Sequence, residues 1–391
     1  MAELPPAEWT RRPALARLVA ALGPGNARWV GGAVRDTLLG CPVHDVDAAT
    51  PLTPNEVIDR LEAAGIRTVP TGLAHGTVTA ILEGGNVEVT TLRRDVSTDG
   101  RRATVEFAGD WREDAARRDF TINALYAEPA TREIFDYFGG VDDLVASRVR
   151  FIGDPRQRIR EDHLRILRYF RFQARLGAAL DAEAEAACAE LAPSLKGLSR
   201  ERVGWELLKL LALPDPAPTA SRMRELGVLP VVLPEAGKHE IDRLTDLIAA
   251  ERATGSGPDP LRRLAALMPT VPAVAESVAA RLRLSKNQRE RLSCAAAREP
   301  GDGENPRALA WAVGIPCATD RLLLTGGNPA PLAGWDVPAF PLKGGEIVAR
   351  GVQAGPEVAR ILRDVERGWV AEGFPDRARV SALLDRALAE R

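Results

Sequence analysis

The spacing of apolar residues changes character part-way along the chain. Up to about residue 140, short runs of β-type residues (29–30, 43–48, 77–82, 87–92, 104–107 and 134–137) alternate with helical stretches such as 33–39 and 55–64, and breaks fall at the glycine pairs 31–32, 84–85 and 139–140. This pattern predicts a mixed α/β domain. From about residue 142 the strand signal fades. Ala-, Leu-, Arg- and Glu-rich segments with helical period follow at 162–176, 182–191, 200–212, 241–253, 273–284 and 356–371, separated by Pro- and Gly-rich stretches at 213–218, 254–260 and 299–306. The expected class is α+β, with an all-α C-terminal part and no internal repeat.

Composition adds size and partners to this picture. With 391 residues, 45% of them hydrophobic, the chain can bury more than one core, because single cores stop growing near about 250–300 residues. A disordered or collagen-like chain is excluded. The 52 basic and 54 acidic residues nearly cancel, which argues against a globally basic nucleic-acid binder, yet only five of the basic residues are lysines. Four cysteines, Cys41, Cys188, Cys294 and Cys317, lie far apart with no CxxC pair, so they read as ordinary thiols of a reducing compartment without a zinc site. No stretch approaches the roughly 20 apolar residues of a membrane span, and residues 3–12 lack a signal peptide's apolar region. The expected location is the cytoplasm.

The candidate chemistry begins at residues 27–50, ARWVGGAVRDTLLGCPVHDVDAAT. Residues 29–30 suit a strand end and Gly31–Gly32 a tight turn whose bare backbone can approach a phosphate, with a helix from Ala33 stopped by Gly40. Asp45 and Asp47 stand two apart in a β-type run, so both carboxylates point the same way. Such a pair can hold two Mg²⁺ ions, which would activate an attacking hydroxyl and stabilise a leaving pyrophosphate. Alone, a Gly-Gly is ordinarily a turn and an Asp-x-Asp a solvated strand edge. Together with Arg35–Asp36 on the intervening helix, they make one phosphate-and-metal site.

Two further segments carry charge in informative places. In RRDFTINALY (117–126), a basic pair precedes an apolar stretch that reads as a helix, with Asp119 as a possible N-cap. Residues 146–175 hold nine arginines against three acids, and EDHLRILRYFRFQARLG within them reads as one helix. Its arginines form either a solvated face or a binding surface. Cytosine and adenine each present an amine donor beside a ring-nitrogen acceptor, so a carboxylate beside a guanidinium matches C and A but not U or G. Asp162 and Arg165, one helical turn apart, supply such a pair.

GGAVRDTLLG followed by HDVDAAT resembles the signature of the polymerase-β-like nucleotidyltransferases, in the class II branch that holds CCA-adding enzymes and bacterial poly(A) polymerases. RRDFTINALY, EDHLR and LSRERVGWELLK (198–209) resemble that family's later motifs, and residues 341–370 resemble the tail segment of many bacterial CCA-adding enzymes. The resemblance implies an α/β head with a mainly antiparallel sheet over 1–140, a helical neck over 141–210, a body over 211–325 and a tail touching tRNA over 326–391. It implies Asp45 and Asp47 as metal ligands with Glu88 as a third acidic residue. Gly31 and Gly32 of the turn, with Arg35, would contact the incoming nucleotide, Arg118 and Asp119 its phosphates and ribose, Asp162 and Arg165 its base, and Arg168 and Arg171 would contact it as well.

The implied reaction is template-independent, Mg²⁺-dependent addition of CCA to the tRNA 3′ end from CTP and ATP. No membrane and no protein partner are implied. Poly(A) polymerase is the alternative, disfavoured because no GRRF-type basic segment is found. A CC-only enzyme is disfavoured because residues 93–107 match the flexible loop that such enzymes shorten; an A-only enzyme is a further alternative. A non-catalytic Arg-rich RNA-binding protein would account for residues 146–175 but not for the paired aspartates.

Overall fold

The computed structural model describes residues 2–99, 102–107, 109–177 and 179–389. They gather into two compact units, Met1–Pro234 and Glu235–Arg391. In the first, a seven-stranded sheet has the order β3-β4-β5-β2-β1-β8-β9, with β1 Arg28–Val30, β2 Val46–Thr50, β3 Thr68–Gly72, β4 Thr77–Ala80, β5 Val87–Thr91, β8 Leu125–Ala127 and β9 Ile134–Asp136. Only the β2–β5 pair is parallel; the other neighbours run antiparallel. β6 Arg93–Asp99 and β7 Arg102–Phe107 form a separate two-stranded ribbon. The segment expected as a flexible loop is thus largely a hairpin, and its tip at 100–101 lies outside the described residues.

The sheet's middle is set by burial. β2 is buried at four of its five positions and flanked on both sides, by β1 and β5, so its backbone groups are paired across the core. The strand begins at Val46, later than the expected 43, because β1 and β5 offer partners only from Asp47 and Val46 onward. The apolar run after Asp119 is also not a helix. Thr121–Asn123 make one 3₁₀ turn and β8 follows, because Leu125–Ala127 find ladder partners on both sides, in β1 and β9. Short apolar runs of this kind are ambiguous by period alone.

Helices α1 Pro13–Leu22, α2 Gly32–Leu38, α3 Pro54–Ala63, α4 Trp111–Ala116 and α5 Gly140–Val145 surround the sheet, and α6 Pro155–Glu161, α7 Arg165–Leu176, α8 Ala182–Leu191, α9 Arg200–Leu211, α10 Ala217–Glu225 and α11 Leu229–Val232 complete the unit. Thr53 starts α3 with a reciprocal capping box to Glu56, ahead of Pro54 at the first helical position. The 162–176 helix expected from the sequence starts instead at Arg165. Asp162 is extended, and its Oδ1 accepts from Leu164 N at 3.1 Å, so a local side-chain bond competes with the helical ladder and divides α6 from α7.

The second unit is helical, from α12 Lys238–Thr254 through α13 Pro260–Ala266, α14 Pro272–Arg281, α15 Lys286–Ala296, α16 Pro306–Val313, α17 Ile315–Leu324 and α18 Gly344–Ala349 to α19 Pro356–Ala371 and α20 Arg377–Ala389. Trp369 anchors its C-terminal core with Ile361, Val365 and Leu384. Cys294 and Cys317 form a disulfide between α15 and α17, which corrects their reading as free thiols. Helix–helix packing brings together two cysteines that carry no pairing signal in sequence. Cys41 and Cys188 are free. No helix among the described residues is long and apolar enough to cross a membrane.

Candidate active site

The chemistry-bearing residues of the first unit converge on one open pocket of about 1130 Å³. Gly31 and Gly32 enter it from the β1–α2 turn, Asp45 and Asp47 from the start of β2, Arg118 and Asp119 from the segment before β8, and Asp162, Arg165, Arg168 and Arg171 from α7 and its approach. Asp36, His44, Asn123, Phe172, Arg175 and Lys209 also line it. Glu88 does not line the pocket, but it stands in register beside Asp47 on β5, so the two side chains leave the same face of the sheet.

Gly31 is at φ 66°, ψ −116°, a conformation that glycine adopts readily and other residues resist, and it caps the start of α2. A Cβ there would have room, with its nearest atom 3.4 Å away, so the backbone angle rather than space calls for glycine. One turn on, Arg35 is buried. Its Nε donates to Asp36 at 2.7 Å and its Nη1 to Asn123 at 2.5 Å, and burial lowers its pKa despite Asp36.

The Asp47 carboxyl is raised well above its ordinary range. Burial first, then the neighbouring charge of Glu88, pushes it up to about 6, with Asp45 adding to the effect and Arg118 opposing it. A hard cation would relieve this crowding of negative charge. Among the described residues no group of three or more His, Cys, Asp or Glu is arranged to hold a metal. A pair such as Asp45 and Asp47 matches in number what Mg²⁺ commonly takes, one or two carboxylates with phosphate oxygens and water in its other positions.

The pocket's arginines are fixed by carboxylates behind them. Arg118 donates to Asp114 and to the Tyr126 hydroxyl, both at 3.1 Å. Burial alone would raise the Asp114 carboxyl, but Arg118, Arg117 and Tyr126 overcome it and hold the group below its ordinary range. Arg168 reaches Asp119 at 2.6 Å, and Arg171 reaches Glu206 at 2.6 Å, with Arg168 also 3.7 Å from Glu206. Arg175 binds Asp36 at 3.0 Å. Asp119 meanwhile accepts from Phe120 N and Asn123 Nδ2, which holds it in a turn rather than at a helix N-cap.

The Asp162–Arg165 pair sits at the α6–α7 joint rather than along one helix face. Arg202 of α9 donates to Asp162 Oδ2 at 2.7 Å, opposite the Leu164 bond. Arg165 donates to Glu161, to the carbonyl of Arg158 and to that of Arg117 at 2.6, 2.8 and 3.2 Å. Both side chains keep hydrogen-bonding capacity, since each carboxylate oxygen has a second lone pair and the guanidinium five N–H donors. Asp114, Asn123, Glu161, Arg202 and Glu206 are the supporting residues that sequence reasoning did not single out. The last two lie within LSRERVGWELLK, where the spacing i, i+4 was the available signal.

A family model described as Poly A polymerase head domain matches residues 27–150, and one described as Probable RNA and SrmB-binding site of polymerase A matches 177–239. The mitochondrial CCA tRNA nucleotidyltransferase 1 of Mus musculus is 37% identical over 372 residues, covering 89% of this chain and 83% of that protein. The chain belongs to the class II CCA-adding enzyme and poly(A) polymerase family. A second member, the CCA-adding enzyme of Levilactobacillus brevis, is 31% identical over 92% of this chain and 94% of its own. The crystal structure of the Bacillus stearothermophilus CCA-adding enzyme in complex with CTP matches with a TM-score of 0.77 at 28% identity, over 97% of this chain and 98% of that one. The Thermotoga maritima CCA-adding enzyme complexed with tRNA shares the fold, with a TM-score of 0.71 at 19% identity, over 96% and 94% of the two chains.

Proposed function

We propose that this chain is a CCA tRNA nucleotidyltransferase, adding C, C and A to tRNA 3′ ends from CTP and ATP without a nucleic-acid template. The observation that carries the reading is one pocket holding both a carboxylate pair, Asp45–Asp47, and a braced Asp162–Arg165 pair, in a chain similar over 89% of its length to a CCA tRNA nucleotidyltransferase. Asp45 and Asp47 would hold Mg²⁺, and Glu88 adds negative charge beside them. Mg²⁺ bound there would supply activation of the RNA 3′-hydroxyl and charge neutralisation for the leaving pyrophosphate.

The chain's own residues do the rest. The Gly31–Gly32 turn lets the triphosphate approach the backbone, and Arg35, Arg118, Arg168 and Arg171 spread positive charge along it. Asp119, braced by Arg168, is aimed at the ribose, where sensing a 2′-hydroxyl separates ribonucleotides from deoxyribonucleotides. Asp162 accepts from the amine of C or A, and Arg165 donates to the adjacent ring nitrogen. The head over 1–140 supplies the metal-holding pair with Arg35 and Arg118, and the neck over 141–210 the base-reading pair with Arg168 and Arg171. A compartment holding tRNA, CTP and ATP, such as the cytoplasm, suits the activity.

Poly(A) polymerase is the second reading, favoured by the two matching family models, both of which are named for polymerase A. One experiment separates the readings. A tRNA transcript lacking CCA is given to the purified protein with each NTP singly and together, and the 3′ ends are sequenced. CCA ends support the proposal, A-runs support the second reading, and unextended RNA leaves an RNA-binding protein.

A further inference from the structure

The outward face of α9 carries an aromatic that folding does not account for. The helix buries Val203, Glu206, Leu207, Leu210 and Leu211, while Trp205 is 63% exposed, and it is the only exposed tryptophan of the seven. A single exposed apolar side chain is ordinary on a protein surface, so what gives this ring a use is the charge and the pocket beside it. Its neighbours on that face are cations. Lys209, one turn on, places Nζ 4.5 Å from the Trp205 ring centroid, and Arg202, one turn back, binds Asp162. Lys209 also lines the nucleotide pocket, as do Asp45 and Asp162. The stripe Arg202–Trp205–Lys209 therefore reaches the pocket at both ends, through the bond of Arg202 to Asp162 and through Lys209 itself, with Trp205 between them.

We infer that Trp205 is a stacking platform for a base at the single-stranded 3′ end of the RNA that receives the nucleotide. The inference rests on the nucleotidyltransferase reading of the pocket and adds to it the seat of the second substrate. With the incoming nucleotide seated in the pocket, the attacking 3′-hydroxyl comes from an RNA end lying beside it. An aromatic ring flanked by cations is the chemistry that holds single strands: the ring stacks on any base, and the cations answer the phosphates. Lys209 covers part of the ring, and the exposed remainder is open to the base. Because every base has a π-face, this platform accepts the changing end of a growing …C, …CC terminus, while base choice stays with Asp162 and Arg165. Trp205 acts as a positioning residue.

The test compares wild type, Trp205→Ala and Trp205→Phe with tRNA lacking CCA, reading kcat/KM for the RNA at saturating CTP, and the CTP dissociation constant separately. One base–aromatic stack corresponds to a drop of about 5- to 150-fold in kcat/KM for RNA in the alanine variant. CTP affinity should stay unchanged, and phenylalanine should restore most of the loss. Trp fluorescence should be quenched when single-stranded RNA ending in …CC is titrated in, and the Trp205→Phe protein should lack that component. Unchanged RNA kinetics in Trp205→Ala, equal losses for RNA and CTP, or quenching that survives in Trp205→Phe would each overturn the platform. If wild type extends no RNA, the nucleotidyltransferase reading fails, and the quenching alone still decides whether Trp205 meets RNA. A surface for a protein partner instead would leave both RNA readouts unmoved.

Discussion

A carboxylate can choose between base edges only if it is held still, and Asp162 is held from two sides, by Leu164 N at 3.1 Å and Arg202 at 2.7 Å. On the proposed reading, replacing it by alanine removes the acceptor for the C or A amine. One bidentate contact of this kind is worth roughly 1–3 kcal/mol of discrimination by analogy with DNA base readout. Asp162→Ala should therefore relax selectivity against UMP and GMP by about 5- to 150-fold, read in competitive incorporation of the four NTPs. An active variant with unchanged preference would place base selection elsewhere. Asp45 and Asp47 make a different prediction. Asp45→Ala or Asp47→Ala should abolish CMP and AMP incorporation alike while circular dichroism and tRNA binding stay near wild type, and turnover in either folded variant would sink the metal assignment. Both residues are legible from HDVDAAT, because a pair two apart needs only its neighbours to be read. The raised Asp47 carboxyl is not, since Glu88 reaches its side only through the β2–β5 register.

At the scale of elements, α9 acts as a brace for α7. Glu206 projects from it to Arg171 at 2.6 Å and toward Arg168 at 3.7 Å, so one carboxylate sets the position of two arginines that line the pocket. Glu206 is 5% exposed, and removing it leaves Arg171 without its near counter-charge. Breaking a buried pair costs about 3–5 kcal/mol, and the partial exposure of Arg168 trims this to roughly 1–3 kcal/mol here. We expect Glu206→Ala to unfold at lower denaturant and to raise KM for CTP and ATP by similar factors with the C/A preference kept. A changed preference with unchanged KM would refute the bracing role. Helices α8 and α19 are legible to the residue from their apolar period. The α6–α7 break and β8 are not, because one depends on where the Asp162 carboxylate turns and the other on strands distant in sequence. Glu206 and Arg171 are separated by 35 positions, a pairing that no local pattern reveals.

Over the whole molecule, charge and covalent linkage are unevenly placed. The formal charge is only −2, yet the pocket gathers six arginines and a lysine against five aspartates, a local excess of positive charge that the net charge hides. The second unit carries its own constraint in Cys294–Cys317, whose partners are 23 positions apart. In the chain-entropy picture, closing a loop of that size stabilises the fold by about 3 kcal/mol, and a reducing compartment would withdraw that contribution. The surrounding packing does not depend on the bond alone, because Asp320 of α17 accepts from Arg291 of α15 at 2.6 Å. Reduction should therefore loosen this unit without unfolding it. The expected outcome is a lower unfolding midpoint for the oxidised protein on adding dithiothreitol, matched by Cys294→Ser without reductant. CTP affinity should be unaffected, since every residue lining the nucleotide pocket belongs to the first unit. If neither treatment moves the midpoint, the bridge contributes nothing to stability. If both also weaken CTP binding, the pocket depends on the second unit.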